Sequence, residues 1–177
     1  MINKVYYITL CLVVLLSSCN SRKTDYTGES LISWDMEKQN FKQCNFSNAD
    51  LRDANLLESN LQNADFTKAN LSHANLKGSN IQGAIFKDAD LFGMDLTNAK
   101  ANKVDFSEQN LSFVNFSNAS LKNANFKQAD LTKAIFNGAD LEKADFTGAK
   151  VTMDQLINAK NLKNCILPYG SKYQTVK

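Results

Sequence analysis

The stretch Cys44-Asn45-Phe46-Ser47-Asn48-Ala49-Asp50-Leu51-Arg52-Asp53-Ala54-Asn55-Leu56 decides the fold. It puts a large apolar residue at every fifth position, a small one two residues earlier, and Asn or Asp between them. Carried outward, the column of large centres runs from Phe41 to Val151, and only Ala101 in it is small. The small column is mostly alanine, from Ala49 and Ala54 onward to Ala149. An α-helix turns about 100° per residue, so successive centres would fall about 140° apart and smear around the cylinder. In a continuous strand an odd period throws successive centres onto opposite faces. Each pentapeptide is therefore a short extended piece and a corner, with every centre directed at one shared interior. Asn or Asp before the centre fits the corner, because these short side chains bond to nearby backbone.

A longer period says how many corners close one coil. At a spacing of twenty, Phe46, Phe66, Phe86, Phe106, Phe126 and Phe146 are all phenylalanine. The neighbouring column, Leu51, Leu71, Leu91, Leu111, Leu131 and Val151, holds no aromatic. Four pentapeptides per turn would stack identical side chains, rung on rung, at about 4.8 Å per coil. Residues 41–151 then make five to six four-sided coils of an all-β solenoid.

The triplets Ala49-Asp50-Leu51, Ala69-Asn70-Leu71, Ala89-Asp90-Leu91, Ala129-Asp130-Leu131 and Ala139-Asp140-Leu141 resemble the motif of the pentapeptide-repeat family. The resemblance covers about 110 of the 177 residues and implies a right-handed quadrilateral β-helix. It is weakest over residues 94–114, where the small column reads Met94, Ala99, Val104, Gln109, Val114 and the centre shrinks to Ala101. Gln109 is there either a buried amide in need of partners or the mark of a bulge.

The ends read differently. Lys4 is followed by an apolar run from Val5 to Leu16, shorter than the roughly 20 residues of a membrane span. Leu16-Ser17-Ser18-Cys19 then resembles the bacterial lipobox, which implies a signal peptide over 1–18 and lipidation of Cys19. A plain signal peptide with an incidental Cys19 is the alternative. Residues 19–30 read as a polar tether. Asn20, where an Asp would suggest inner-membrane retention, favours the outer membrane if the cell has one. Residues 31–40 are expected to form an N-terminal cap, since Trp34 is too large for the small column; a short helix after Ser30 is the alternative. At the other end Thr152-Met153-Asp154-Gln155 is a capping box. A short capping helix with Leu156, Ala159 and Leu162 on its apolar face is expected, with Leu167-Pro168 as the stop of a 152–168 unit before a 169–177 tail. Cys44 and Cys165 are read as buried small residues at opposite ends, too far apart to pair.

Little of this chain looks like chemistry. His73 is the only histidine, at an outward position with no Ser or Cys nucleophile set against it. The aspartates recur at one repeat position, where bonding to backbone is reason enough for them. No metal-type cysteine spacing and no phosphate loop occurs; the glycines at 78, 83, 93, 138 and 148 share one turn position. Neither catalytic residues nor a cofactor are expected. Two outward aromatics, Phe92 and Phe113, fall one coil apart beside the irregular region and form the candidate partner patch. Lys100, Lys103, Lys122 and Lys143 share a side with Asp140 and Glu142 and read as a solvated mixed face.

The expected function is a non-enzymatic envelope lipoprotein, bound to the bilayer by an acylated cysteine, whose rod is a scaffold or binding surface for an envelope protein. The alternative comes from the family resemblance: some members protect DNA gyrase, a type II topoisomerase, from quinolones by imitating a duplex. Such mimicry needs a strongly acidic surface, whereas residues 41–151 carry 12 Lys or Arg against 13 Asp or Glu. No nucleic-acid partner is expected.

Overall fold

The computed structural model describes residues 25–173, and across them the five-residue pattern becomes a coil of short extended pieces and tight corners. Isolated parallel bridges join most of the residues before a centre to the counterpart twenty residues on, as in Asn45 to Asp65 and Asp65 to Ile85. Four pentapeptides therefore make one coil. Within the ladder, the Phe46 N–H donates to the Asp65 carbonyl at 2.7 Å and the Asp65 N–H to the Cys44 carbonyl at 2.9 Å. The same two bonds recur coil after coil, which pairs the backbone without any long strand.

The corner sits later than the Asn and Asp positions suggest. Those residues lie in the extended ladder, and the left-handed residue comes two positions after each centre: Asn48 at φ 59°, Asp53 at 56°, Lys103 at 62°. The left-handed region costs a non-glycine residue roughly 1–2 kcal/mol, so the sharp turn has to be held from outside itself. Asn and Asp do this from upstream. Asn45 Oδ1 accepts from the Ser47 N–H at 3.0 Å, and Asp65 Oδ1 from the Thr67 N–H at 2.9 Å. Some also tie coil to coil, as Asn75 Nδ2 donates to Asn55 Oδ1 at 3.0 Å and Asn55 Nδ2 to Asp35 Oδ1 at 2.9 Å.

The centres from Leu31 to Phe146 are buried, and so is most of the small column. Phe46, Phe66 and Phe86 stack with ring centroids 5.1 and 5.3 Å apart and planes within 5° of parallel. Phe116 and Phe136 form a second stack at 5.0 Å that meets the first edge-on, with Phe126 and Phe136 at 88°. Parallel offset rings along the axis and edge contacts across it fill the narrow interior with favourable aromatic geometry.

Both ends depart from the sequence-based expectation. The cap placed over residues 31–40 and the last part of the tether are ordinary repeats: Asp25, Ser30, Asp35 and Asn40 bridge to Asn45, Asp50, Asn55 and Asn60. Trp34 is accommodated because it is only partly buried, packed against the margin of the core instead of inside it. The signal segment, Cys19 and the rest of the tether lie outside the described residues. At the C-terminus the helix is a single turn, α1, over Met153–Leu156, and it does not end the coil. Leu156 keeps the five-residue phase, one extra residue follows, and the ladder resumes with Asn161 bridged to Asp140 and Ile166 to Asp145. Leu162 and Cys165 thus belong to a further coil. Cys44 and Cys165 are both fully buried. Cys165 keeps a free thiol whose pKa burial pushes up to about 12.

Candidate functional site

The outward aromatics lie where the repeat phase puts them, but they differ in exposure. Phe113 occupies the left-handed corner position at φ 62° and is 46% exposed. Phe92, one position after its centre, is half-buried. Their rings are 5.2 Å apart, so two coils touch through side chains on the outside of the rod. His73 meets Phe92 edge-on at 5.4 Å, and Lys133 Nζ stands 4.9 Å over the Phe113 ring. The result is a strip, His73–Phe92–Phe113–Lys133, running along the axis with a cation at one end. Gly93 makes room for it: a Cβ there would come within 2.7 Å of His73 Nδ1. An aromatic surface ending in an ammonium group can bind apolar or aromatic groups and accept an anion beside them. No nucleophile or paired carboxylate lies among these four side chains.

Sequence reasoning missed three other exposed apolar residues on the rod, Ile32, Ile85 and Ile135. Ile85 and Ile135 replace the usual Asn or Asp before a centre, and that substitution was the signal that could have found them. Ile85 borders an open place in the coil stack. Between the stretch Gly83–Leu91 and the stretch Asp105–Asn110 below it, the N–H groups of Gly83, Phe86, Asp88, Leu91, Asp105 and Asn110 make no hydrogen bond. Their equivalents one coil away are all paired, for example Phe66 to Ile85 at 2.8 Å and Phe106 to Asn125 at 2.8 Å. A cleft of about 500 Å³ lies there, with Ala84, Ile85 and Phe86 on one side and Asp105, Ser107 and Gln109 on the other. No residue has been inserted, since Asn110 still bridges to Asp130. Gln109 is partly buried, not enclosed, and its Nε2 reaches only its own loop, donating to the Ser107 carbonyl at 3.3 Å. Neither the enclosed amide nor the bulge raised by the sequence describes it; the ladder parts with its register kept.

Part of the charged surface is self-paired. Lys122 bridges to Asp140 at 3.2 Å and Glu142 at 3.1 Å, and the bond to Glu142 followed by that to Asp140 raises its pKa. Lys77, Lys127 and Lys150 pair with Asp95, Asp145 and Asp130 in the same coil-to-coil manner. Among the described residues no group of His, Cys, Asp and Glu could hold a metal ion, and no helix is long and apolar enough to cross a membrane. A larger cleft of about 760 Å³ lies at the C-terminal end, between Val151, Thr152 and Gln155 on one side and Pro168 and Tyr169 on the other.

With this geometry in place, a family model described as pentapeptide repeats matches the chain in 8 copies, over residues 35–67, 44–83, 69–108, 89–128 and 110–148. Among solved structures, the chain is similar to HetL, a pentapeptide repeat protein involved in heterocyst differentiation regulation from the cyanobacterium Nostoc sp. strain PCC 7120. Identity is 24% over 93% of this chain and 98% of that one, with a TM-score of 0.39. It is similar to QnrB1, a plasmid-mediated fluoroquinolone resistance protein, at 22% identity over 73% of this chain and 78% of that one, with a TM-score of 0.41. A pentapeptide repeat protein of the Arabidopsis thaliana thylakoid lumen shares 27% identity over 76% of this chain and 69% of that one, at a TM-score of 0.24. No curated protein matches the sequence.

Proposed function

Because this chain belongs to the pentapeptide repeat family, we propose that it is a non-enzymatic envelope lipoprotein, held to a bilayer by an acylated Cys19, whose rod is a scaffold or binding surface for another protein. The observation that carries the reading is the lipobox-like Leu16-Ser17-Ser18-Cys19, whose cysteine stands six residues before Asp25, the first ladder residue among those described. An anchor there holds the rod by its end and leaves all four faces free. About seven coils at about 4.8 Å each make a post roughly 34 Å long. The aromatic strip then stands near its middle, clear of the lipid surface. A single acyl chain binds membranes only marginally, so stable attachment calls for the multiple acylation that a lipoprotein cysteine carries.

The competing reading, duplex mimicry toward a type II topoisomerase, needs a strongly acidic surface. The near-balance of 12 basic and 13 acidic residues over 41–151 weighs against it, as does the pairing of Asp95, Asp130, Asp140 and Asp145 with lysines. The deciding experiment is metabolic labelling with palmitate. Label is expected in the wild-type protein and absent from Cys19→Ala, with the wild type alone sedimenting with membranes. Equal labelling of both proteins would remove the anchor from the proposal.

A further inference from the structure

The parting of the ladder between Gly83–Leu91 and Asp105–Asn110 covers two adjoining faces of the rod, those of the Phe46–Phe146 and Leu51–Leu131 columns. On one side of it the backbone is still paired through Ile81 and Lys100 at 3.0 Å, and on the other through Gly93 and Ser112 at 3.0 Å. Apart from the residues facing α1, every other rung between these coils and their neighbours is closed. The core beneath the parting is also disturbed. Phe86 and Phe106 are 5.6 Å apart and tilted by 21°, against 3–5° for the rings above, and Ala84 and Ala89 regain 6% and 8% exposure.

The cause lies in the small column. Gln109 stands where Ala69, Ala89, Ala129 and Ala149 stand on the same face. Its amide is too long and too polar for the interior, so it turns back onto the Ser107 carbonyl. Gln39 makes the same turn, its Nε2 donating to the Glu37 carbonyl at 3.1 Å. Both glutamines keep the rung toward the C-terminus: Gln39 accepts from the Asn60 N–H at 2.9 Å and Gln109 from the Asp130 N–H at 3.0 Å. The arrangement used in the first described coil is thus repeated in mid-rod at Gln109, where the rung toward the N-terminus is lost. Asp88 and Glu108 add to it, since they occupy the same outward column one above the other and put like charges across the gap. At the margin of the parting, beside the closed Gly93–Ser112 rung, the two coils also touch through the Phe92–Phe113 contact.

We propose that this parting is a joint: the rod opens here, across the Phe46–Phe146 and Leu51–Leu131 faces, while the coils on either side stay closed, and the Phe92–Phe113 pair at its margin is the clasp that limits the opening. Backbone rungs are the cooperative element of a solenoid, whose repeats contact only their neighbours, so a stretch without rungs lowers the cost of separating the two halves at one place. Opening would enlarge the cleft beside Ile85 and Phe86 without unfolding either half. The inference does not depend on the membrane anchor.

Residue-resolved amide hydrogen exchange on the full-length chain tests it. A static gap would leave the bonded amides at its margins, Ile81 and Gly93, as protected as Leu61, Ala101, His73 and Phe113, which make the same bonds in the next coils. A joint that opens carries the margins with it, so Ile81 and Gly93 are expected to exchange at least about tenfold faster than those four. In Gln109→Ala the difference is expected to vanish, with Phe86, Asp88, Leu91, Asp105 and Asn110 gaining protection as their rungs form. Equal protection of margins and controls in the wild type would overturn the joint, and a margin that stays fast in Gln109→Ala would overturn the assignment of its cause. If Gln109→Ala fails to fold, the wild-type comparison alone decides.

Discussion

At the scale of single residues, the repeat is intolerant of any side chain that does not match its slot, and the exceptions carry the information. Two serines replace alanine in the small column, and only one of them finds a carbonyl for its hydroxyl. Ser59 does so, donating to the Met36 carbonyl at 2.8 Å. Ser79, twenty residues on and fully buried, has no partner for its Oγ. A buried hydroxyl left unpaired costs about 1–3 kcal/mol. Ser79→Ala is therefore expected to stabilise the protein by about 1 kcal/mol, whereas Ser59→Ala destabilises it by about as much. Denaturant midpoints of the two variants check this, and a loss of stability in Ser79→Ala would show that the hydroxyl is satisfied after all.

Among the elements, α1 shows how a solenoid interrupts its own ladder and replaces part of what is lost, although the Lys133 and Phe136 N–H groups facing it make no rung. Thr152 Oγ1 accepts from the Gln155 N–H while Gln155 Oε1 accepts from the Thr152 N–H at 3.0 Å, closing the capping box. The other end of the same side chain faces the coil below. Gln155 Nε2 donates to the Leu131 carbonyl at 2.8 Å and the Ala134 carbonyl at 2.9 Å. One amide thus caps the helix, covers the Ala134 carbonyl that the helical turn leaves without a rung, and gives a second donor to the Leu131 carbonyl, which already accepts from the Ala134 N–H. Gln155→Glu keeps the acceptor and loses both donors, and it sets a carboxylate against two carbonyl oxygens. It is expected to cost more than the roughly 1 kcal/mol of an ordinary cap loss, about 2–3 kcal/mol. Thermal unfolding of Gln155→Glu beside Thr152→Ala separates the two roles; equal losses would mean the carbonyl contacts contribute nothing.

For the whole molecule, acid should act through carboxylates that bridge coils. Asp130 is held below the usual 3.8 by the hydroxyl and then the amide of Thr132, with Lys150 helping. For Asp145 burial is the largest influence and works upward, yet the Thr147 hydroxyl and amide and the Lys127 ammonium together hold the carboxyl below the usual value. The Arg52 guanidinium does the same for Asp50. A carboxyl whose folded pKa lies below its unfolded one stabilises the fold fully above the unfolded value and stops doing so as pH falls through the folded one. Stability is therefore expected to be flat from neutral pH down to about 5 and to fall below about 4. A urea midpoint that stayed constant down to about pH 2.5 would contradict this. Because these groups are largely solvated, the loss should be gradual and weaker in high salt.

The five-residue period determined by itself that the interior is one continuous column and that the backbone coils, since no regular helix or strand can bury such a column on one side. The twenty-residue recurrence of phenylalanine likewise showed four corners to a coil. These features were legible because each pentapeptide meets only the one above and the one below, so tertiary contact is a translation of local pattern. Where the pattern broke, the sequence alone left the outcome open. Trp34 looked like the sign of a cap, yet the coil runs through it, because a ring at the core margin need not enter the core. Leu162 looked like part of a helix, yet it returns to the ladder once a single extra residue has been absorbed. Gln109 was visible as an exception, but its effect depends on the backbone of the coil above, twenty residues away. Only the three-dimensional stack could decide which rungs give way, because a rung is a hydrogen bond between two coils and neither coil's sequence contains it.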